Sequence, residues 1–251
     1  MQPTCPLCSD TGFEIRTGED GVSTAVPCDC ARRSRGERLL RSAGIPRRYE
    51  HCTLDSFDTH DPTTTSHAVA KRIALDWVER WPVVDHGLLF LGKPGTGKTH
   101  LAVGIARELA GVKGAHVVFC EQRQLLKEIQ ATFDAGVARS ESDVLRPLLD
   151  ADLLVLDDLG AGRTTAWSRD VVHDIIVQRY NDDAPLVLTS NHPLGDERDG
   201  EGGEGNADLA GLTLRDRLGD AIVSRLYEMC RIVTIEGRDF RRGVLHMRTQ
   251  Y

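Results

Sequence analysis

Gly92-Lys93-Pro94-Gly95-Thr96-Gly97-Lys98-Thr99 fills every fixed position of the pattern that cradles phosphates. Glycines at 92, 95 and 97 let the backbone curl so that successive amide N–H groups converge on an anion. The dipole of a following helix adds to them. Pro94 and Thr96 complete the loop. Lys98 is placed to neutralise the outer phosphates, and the Thr99 hydroxyl to complete the shell of a Mg2+ ion that bridges them. The apolar run Leu88-Leu89-Phe90-Leu91 precedes the loop and a helical stretch, 98–110, follows it. That strand-loop-helix setting separates a nucleotide site from a glycine-rich turn with no ligand.

Leu153-Leu154-Val155-Leu156-Asp157-Asp158 reads as a buried strand that ends in two carboxylates. Asp157 is the candidate to contact Mg2+ through its water shell, and Asp158 the candidate to polarise an attacking water. Taken alone, the segment also fits a strand capped by solvated acids. Leu186-Val187-Leu188-Thr189-Ser190-Asn191 is a third buried strand with a polar end. Thr189 and Asn191 are candidates to hold the water against the terminal phosphate, Asn191 the better, although in isolation it fits an ordinary turn residue. Leu218, Ile222, Leu226 and Met229 form one apolar helix face with Arg225 at its margin. Such an arginine can reach a neighbouring subunit's phosphate. A structural salt bridge explains its spacing equally well, and Arg217 competes for the same role.

Four of the seven cysteines stand as two close pairs, Cys5-Pro6-Leu7-Cys8 and Cys28-Asp29-Cys30. Between them Gly12, Gly18 and Gly21 supply turns, and Phe13, Ile15, Val22 and Val26 supply short strands, so a hairpin is expected. A segment this small buries too little apolar surface to fold alone, and a tetrahedral Zn2+ held by four thiolates is the natural source of its stability. The competing readings are a redox dithiol and unpaired buried thiols. Cys120 and Cys230 read as core fillers; Cys52 fits a buried thiol better than a spare ligand.

These groups need a frame. The chain has 251 residues, 40% hydrophobic and 27% charged, enough for one α/β core and a small appendage. No apolar run approaches the roughly 18 residues of a membrane span, and the first residues lack a secretory pattern. A cytoplasmic setting with reduced thiols is expected. A net charge of −7 argues against nucleic-acid affinity spread over the whole surface. A local patch exists, however: seven arginines (32, 33, 35, 38, 41, 47, 48) stand against one acid, Glu37. This basic arm is where contact with a partner or DNA is expected, and a solvated helix face would give the same pattern. Helices are expected at 31–44, 66–81, 98–110, 122–133, 142–150, 166–180 and 214–229. Strands are expected at 88–91, 116–120, 153–157, 186–190 and 232–236. Apolar strands between helices imply a parallel sheet covered on both faces. The glycine- and acid-rich stretch 195–211 is expected to be a mobile loop.

With these landmarks in order, residues 45–251 resemble the DnaC/IstB group of AAA+ ATPases. Besides the phosphate loop, the resemblance rests on Ile45-Pro46-Arg47-Arg48-Tyr49, the strands ending at Asp157 and Asn191, the helix of Arg225, and Gly237-Arg238-Asp239-Phe240-Arg241-Arg242. The cysteine pairs, with Asp10-Thr11-Gly12, look like the zinc module at the front of some loader-type members. The expected architecture is a P-loop AAA+ three-layer domain with a parallel sheet (45–251), preceded by a small zinc-binding module and basic helix (1–44). The resemblance matches Gly95, Gly97, Lys98 and Thr99 to the first Walker motif, Asp157 and Asp158 to the second, Asn191 to the sensor and Arg225 to the arginine finger. It implies an ATPase using ATP and Mg2+ that assembles head to tail on single-stranded DNA with a replicative hexameric helicase. An IstB-like transposition helper with a transposase partner is the alternative. So is an ATP-gated adaptor with little hydrolysis, because Asp158 stands where many AAA+ members carry Glu.

Overall fold

The computed structural model of the chain describes residues 5–60, 64–134, 138–195 and 212–240. At the front, β1 (Phe13–Thr17) and β2 (Ser23–Pro27) pair antiparallel as the expected hairpin. α1 (Asp29–Ser42) follows. Gly36 is its buried contact: a Cβ there would overlap the Gly111 carbonyl oxygen, so no other residue permits this close approach. Beyond α1, the Phe119 amide donates to the Ala43 carbonyl at 2.7 Å.

α2 (Ser66–Arg80) leads to β3 (Gly87–Leu91), and α3 (Lys98–Glu108) starts at the phosphate loop. α3 loosens into a π-helical turn, Leu109–Lys113, which ends at the left-handed Gly114. The expected single helix over 98–110 therefore changes pitch where α1 crosses it. β4 (Val117–Glu121), α4 (Gln122–Ala131), α5 (Glu141–Leu149), β5 (Leu153–Asp157), α6 (Ala166–Asn181) and β6 (Leu186–Ser190) fall within two residues of expectation.

The helix expected at 214–229 is two helices. Gly219, at φ 91°, separates α7 (Leu214–Leu218) from α8 (Asp220–Met229). β7 runs Cys230–Thr234, two residues earlier than its apolar pattern suggested. From residue 196 on, the expected mobile loop lies outside the described residues, as do Arg241 and Arg242.

β3 to β7 form one parallel sheet in the order β4-β5-β6-β3-β7. β3, β5 and β6 are buried at every position, as strands covered on both faces must be. Leu88 and Phe90 face the layer containing α2 and α3. Leu89 and Leu91 face the layer containing α4 to α8. The result is the three-layer AAA+ architecture, with the polar strand ends gathered at one edge.

Candidate nucleotide-binding site

The loop between β3 and α3 forms a wall of a cavity of about 680 Å³ at the carboxyl edge of the sheet. All three of its glycines are needed for contact as well as conformation, and at Gly92 (φ 150°) a Cβ would overlap the Ile235 carbonyl oxygen. At Gly95 (φ 82°) a Cβ would overlap Asp239, and at Gly97 (φ 94°) it would stand 2.7 Å from the Phe57 ring. The Phe240 amide donates to the Gly95 carbonyl at 3.1 Å, so the Gly237-Arg238-Asp239-Phe240 segment straps the loop. Pro94, Gly95, Gly97, Lys98 and Thr99 line the cavity. Gly92 and Thr96 shape the loop from beneath it; the buried Thr96 hydroxyl donates to the Lys93 carbonyl at 2.9 Å. The buried Lys98 ammonium donates to the Gly92 and Lys93 carbonyls, both at 2.8 Å, which holds a positive charge over the loop.

From this wall a hydrogen-bonded relay crosses to the strand ends. Thr99 Oγ1 donates to Asp157 Oδ1 at 2.9 Å. Thr189 Oγ1 donates to the same oxygen at 2.6 Å and accepts from the Asp158 amide at 2.9 Å. Asn191 Nδ2 then donates to Asp158 Oδ1 at 2.6 Å. Thr189, weighed second to Asn191 from sequence, thus joins both carboxylate residues, while Asn191 touches only Asp158. Burial pushes the Asp157 carboxyl above the usual carboxylate range; the two threonine hydroxyls oppose this, and the charges of Asp158 and Glu121 reinforce it. Thr99 and Asp157 present hard oxygen donors side by side, the chemistry a Mg2+ ion requires.

Among the wall residues, His51, His100 and Glu121 were not signalled by the sequence, Tyr49 and Phe240 appeared only in patterns of the resemblance, and Arg48 appeared in the arginine patch, not at the nucleotide. Burial lowers the His100 pKa while the Thr53 carbonyl opposes the shift, and Nε2, 2.9 Å from that carbonyl, is the donating nitrogen.

The two arginine candidates separate. Arg217 is buried, and its Nη1 donates to the Gly160 and Gly162 carbonyls at 3.0 and 2.8 Å, bracing the loop beyond Asp158. Arg225 is half-buried on α8, donates to the Ala221 carbonyl at 3.0 Å, and lies over the Tyr180 ring at 5.9 Å. It does not line the cavity of its own chain.

At the front, the Sγ atoms of Cys5, Cys8, Cys28 and Cys30 all lie within 4.8 Å of one another. The Cys5–Cys28 and Cys8–Cys30 separations are 3.8 and 3.3 Å. A tetrahedron with metal–sulfur bonds of roughly 2.3 Å has edges of roughly 3.8 Å, so the cluster could hold zinc with little movement. Amides of Cys8 and Leu7 aimed at the Cys5 sulfur lower its thiol to about 7. Cys52 and Cys230 are buried away from this cluster, and burial pushes the Cys120 thiol up to about 12.

The family model described as IstB-like ATP binding protein matches residues 28–246. The chain belongs to this family. The IstB-like chain is 28% identical over 206 residues to a protein of insertion sequence IS5376 from Geobacillus stearothermophilus, named for ATP binding; the match covers 82% of this chain and 72% of that one. With the replicative helicase loader DnaC of Escherichia coli K12 it shares 27% identity over 155 residues, 62% of this chain and 61% of the loader. It thus spans about three fifths of the length of the loaders it matches. A crystal structure of the DnaC helicase loader superposes with a TM-score of 0.59 at 31% identity, covering 76% of this IstB-like chain and 99% of the other. No helix among the described residues is long and apolar enough to cross a membrane.

Proposed function

We propose that this chain is a cytoplasmic AAA+ ATPase that binds and hydrolyses ATP to place a replicative hexameric helicase on single-stranded DNA. The observation that carries the hydrolytic part is the relay from Thr99 through Asp157 and Thr189 to Asp158 and Asn191. On this reading Lys98 and the loop amides hold the β- and γ-phosphates. Thr99 and Asp157 would hold Mg2+, which supplies charge neutralisation across the phosphates. Asp158 orients a water for attack on the γ-phosphorus and takes up its proton while the bond to the β-phosphate oxygen breaks. Asn191 keeps that carboxylate and the water in place.

Arg225, half-buried on α8 and outside its own cavity, serves as a finger in the cavity of a neighbouring copy in a head-to-tail, ATP-dependent assembly. Residues 1–44 form a front end organised by zinc, and residues 45–251 the motor. The likeness to the DnaC loader structure, which is covered almost end to end, supports the helicase branch. The IS5376 relative supports the second reading, a transposition helper acting with a transposase. An adaptor with little hydrolysis is the third, favoured by Asp158 having a side chain one methylene shorter than Glu. Capture of a hexameric helicase by the tagged full chain with ATP, and failure to capture a transposase, is the expected result. The reverse result selects the transposition reading, and absence of Mg2+-dependent phosphate release selects the adaptor.

A further inference from the structure

We propose that α1 and the Arg48–Glu121 ion pair form one device, in which an arginine arm binds the backbone of single-stranded nucleic acid and reports its occupancy to the nucleotide cavity. The proposal rests on the ATPase reading above and adds where the strand lies and how its presence reaches the phosphates.

The arm has one buried face and one charged face. Gly36 is buried and Leu40 partly so, with the buried Ala43 just beyond the helix; the three recur at helical spacing, which puts Arg38 and Arg41 on the opposite side. All seven arginines between 32 and 48 are exposed. Arg32 pairs with Asp29, and Arg48 with Glu121. Arg33, Arg38, Arg41 and Arg47 have no ion-pair partner among the described residues. Guanidinium groups outside any ion pair, three on α1 and one just beyond it, match the recurring charge of a phosphate backbone better than any single anion. No aromatic platform interleaves them, so the contact they offer is to the backbone and indifferent to sequence.

The arm is also seated rigidly against the motor. The Gly36–Gly111 approach locks its middle onto the end of the phosphate-loop helix, and the Ala43–Phe119 hydrogen bond locks its end onto β4. Two residues along β4 from Phe119 is Glu121, which lines the cavity and stands in register with Asp157. Parallel neighbours in register share a face, so Glu121 adds a carboxylate on the side where Thr99 meets Asp157. Arg48 Nη2 lies 3.9 Å from Glu121 Oε2, and its guanidinium stands 4.7 Å over the Tyr49 ring. With Arg48 exposed, Glu121 only partly buried and the charges 3.9 Å apart, this pair is weak and exchanges readily for a phosphate.

A strand laid along α1 draws Arg48 away and leaves the Glu121 charge uncompensated beside Asp157. Linkage then requires the converse: whatever nucleic acid does to Mg2+–nucleotide affinity, Mg2+–nucleotide does to nucleic-acid affinity by the same factor.

The test uses the full chain and fluorescent oligothymidylate. Anisotropy is followed across a salt series, with and without Mg2+ and a non-hydrolysable ATP analogue. In the wild type, the analogue is expected to change oligonucleotide affinity by about fivefold or more. Replacing both Arg38→Gln and Arg41→Gln should weaken binding at least about tenfold and flatten the slope of log affinity against log salt by about 1.4, roughly 0.7 per lost contact. Unchanged binding in that variant, with an unaltered thermal melt, means that the arginines are a solvated face only and overturns the arm.

Glu121→Gln should bind oligonucleotide but bring the analogue's effect down to a ratio of about one. If Glu121→Gln keeps the wild-type ratio, or the wild type shows none, the wiring is overturned. Because this readout needs no turnover, it stands apart from any failure of the hydrolytic reading, which shows as absent phosphate release.

Discussion

Asn191 Nδ2 and Asp158 Oδ1 are 2.6 Å apart, so the end of β6 holds the side chain of the residue just past β5. Asp158 itself sits in the left-handed region at φ 58°, and its amide is held by Thr189 Oγ1. Two contacts from one neighbouring strand thus fix a carboxylate that is too short to find its place by reach alone. Asp158→Asn is expected to keep Mg2+-dependent ATP affinity and lose on the order of 10² to 10⁴-fold in phosphate release. Asn191→Ala should lose less, about tenfold to 10²-fold, because the carboxylate remains but is no longer aimed. Full turnover in Asp158→Asn would remove that residue from the mechanism. Lys98→Ala is the contrasting variant, since it should lose triphosphate affinity itself.

Asp157 gives a prediction about stability. Burial raises its pKa in the folded chain, so folding favours the protonated form. That contribution is whole below the carboxylate's unfolded range and drains away as pH rises through the higher folded value. As pH rises, ionising Asp157 therefore works against the fold of the nucleotide-free protein. Asp157→Asn should raise the melting temperature at pH 7.5 by a few degrees, on the scale of about 1 kcal/mol. The advantage should vanish in melts near pH 4, and Mg2+–ATP should stabilise the variant less than the wild type.

Arg225 is tested by mixing. Arg225→Ala should bind ATP normally and lose about 10³-fold in turnover. Combined with Asp158→Asn, it should regain activity, because one mixed interface joins an intact Asp158 cavity to an intact Arg225. No recovery at any ratio, together with a lowered melting temperature of Arg225→Ala, would instead assign Arg225 to the Ala221 and Tyr180 contacts alone.

The cysteine cluster predicts about one Zn2+ per purified chain, measured by elemental analysis. Cys8→Ser should lose that metal. Since β1 and β2 are largely exposed, circular dichroism of the α/β core should keep its main transition while proteolysis within residues 5–30 accelerates. A metal-free wild type with a Cys8–Cys30 disulfide would overturn the zinc assignment.

The sequence carried those parts of the fold and site that depend on local chemistry. Five apolar runs found their strands, and Lys98, Thr99, Asp157, Asp158 and Asn191 meet as their positions at strand ends required. Missed were features that only tertiary contact creates. Gly36 looks like a helix defect until Gly111 is seen against it. Glu121 is an ordinary strand-end acid until the register with Asp157 is known. Gly219 interrupts an apolar stripe that continues in phase across it, so periodicity alone read one helix.

The break at Gly219 divides one apolar stripe between two helices, α7 and α8. Arg217 on α7 holds the loop behind Asp158, and α8 carries the half-buried Arg225 against Ala221 and Tyr180. On the proposed reading, a chain whose loop shifts when its own phosphate departs also tilts the cation it lends to the next chain. Spent and loaded copies would then fire in sequence around the assembly, timed by a single residue without a side chain.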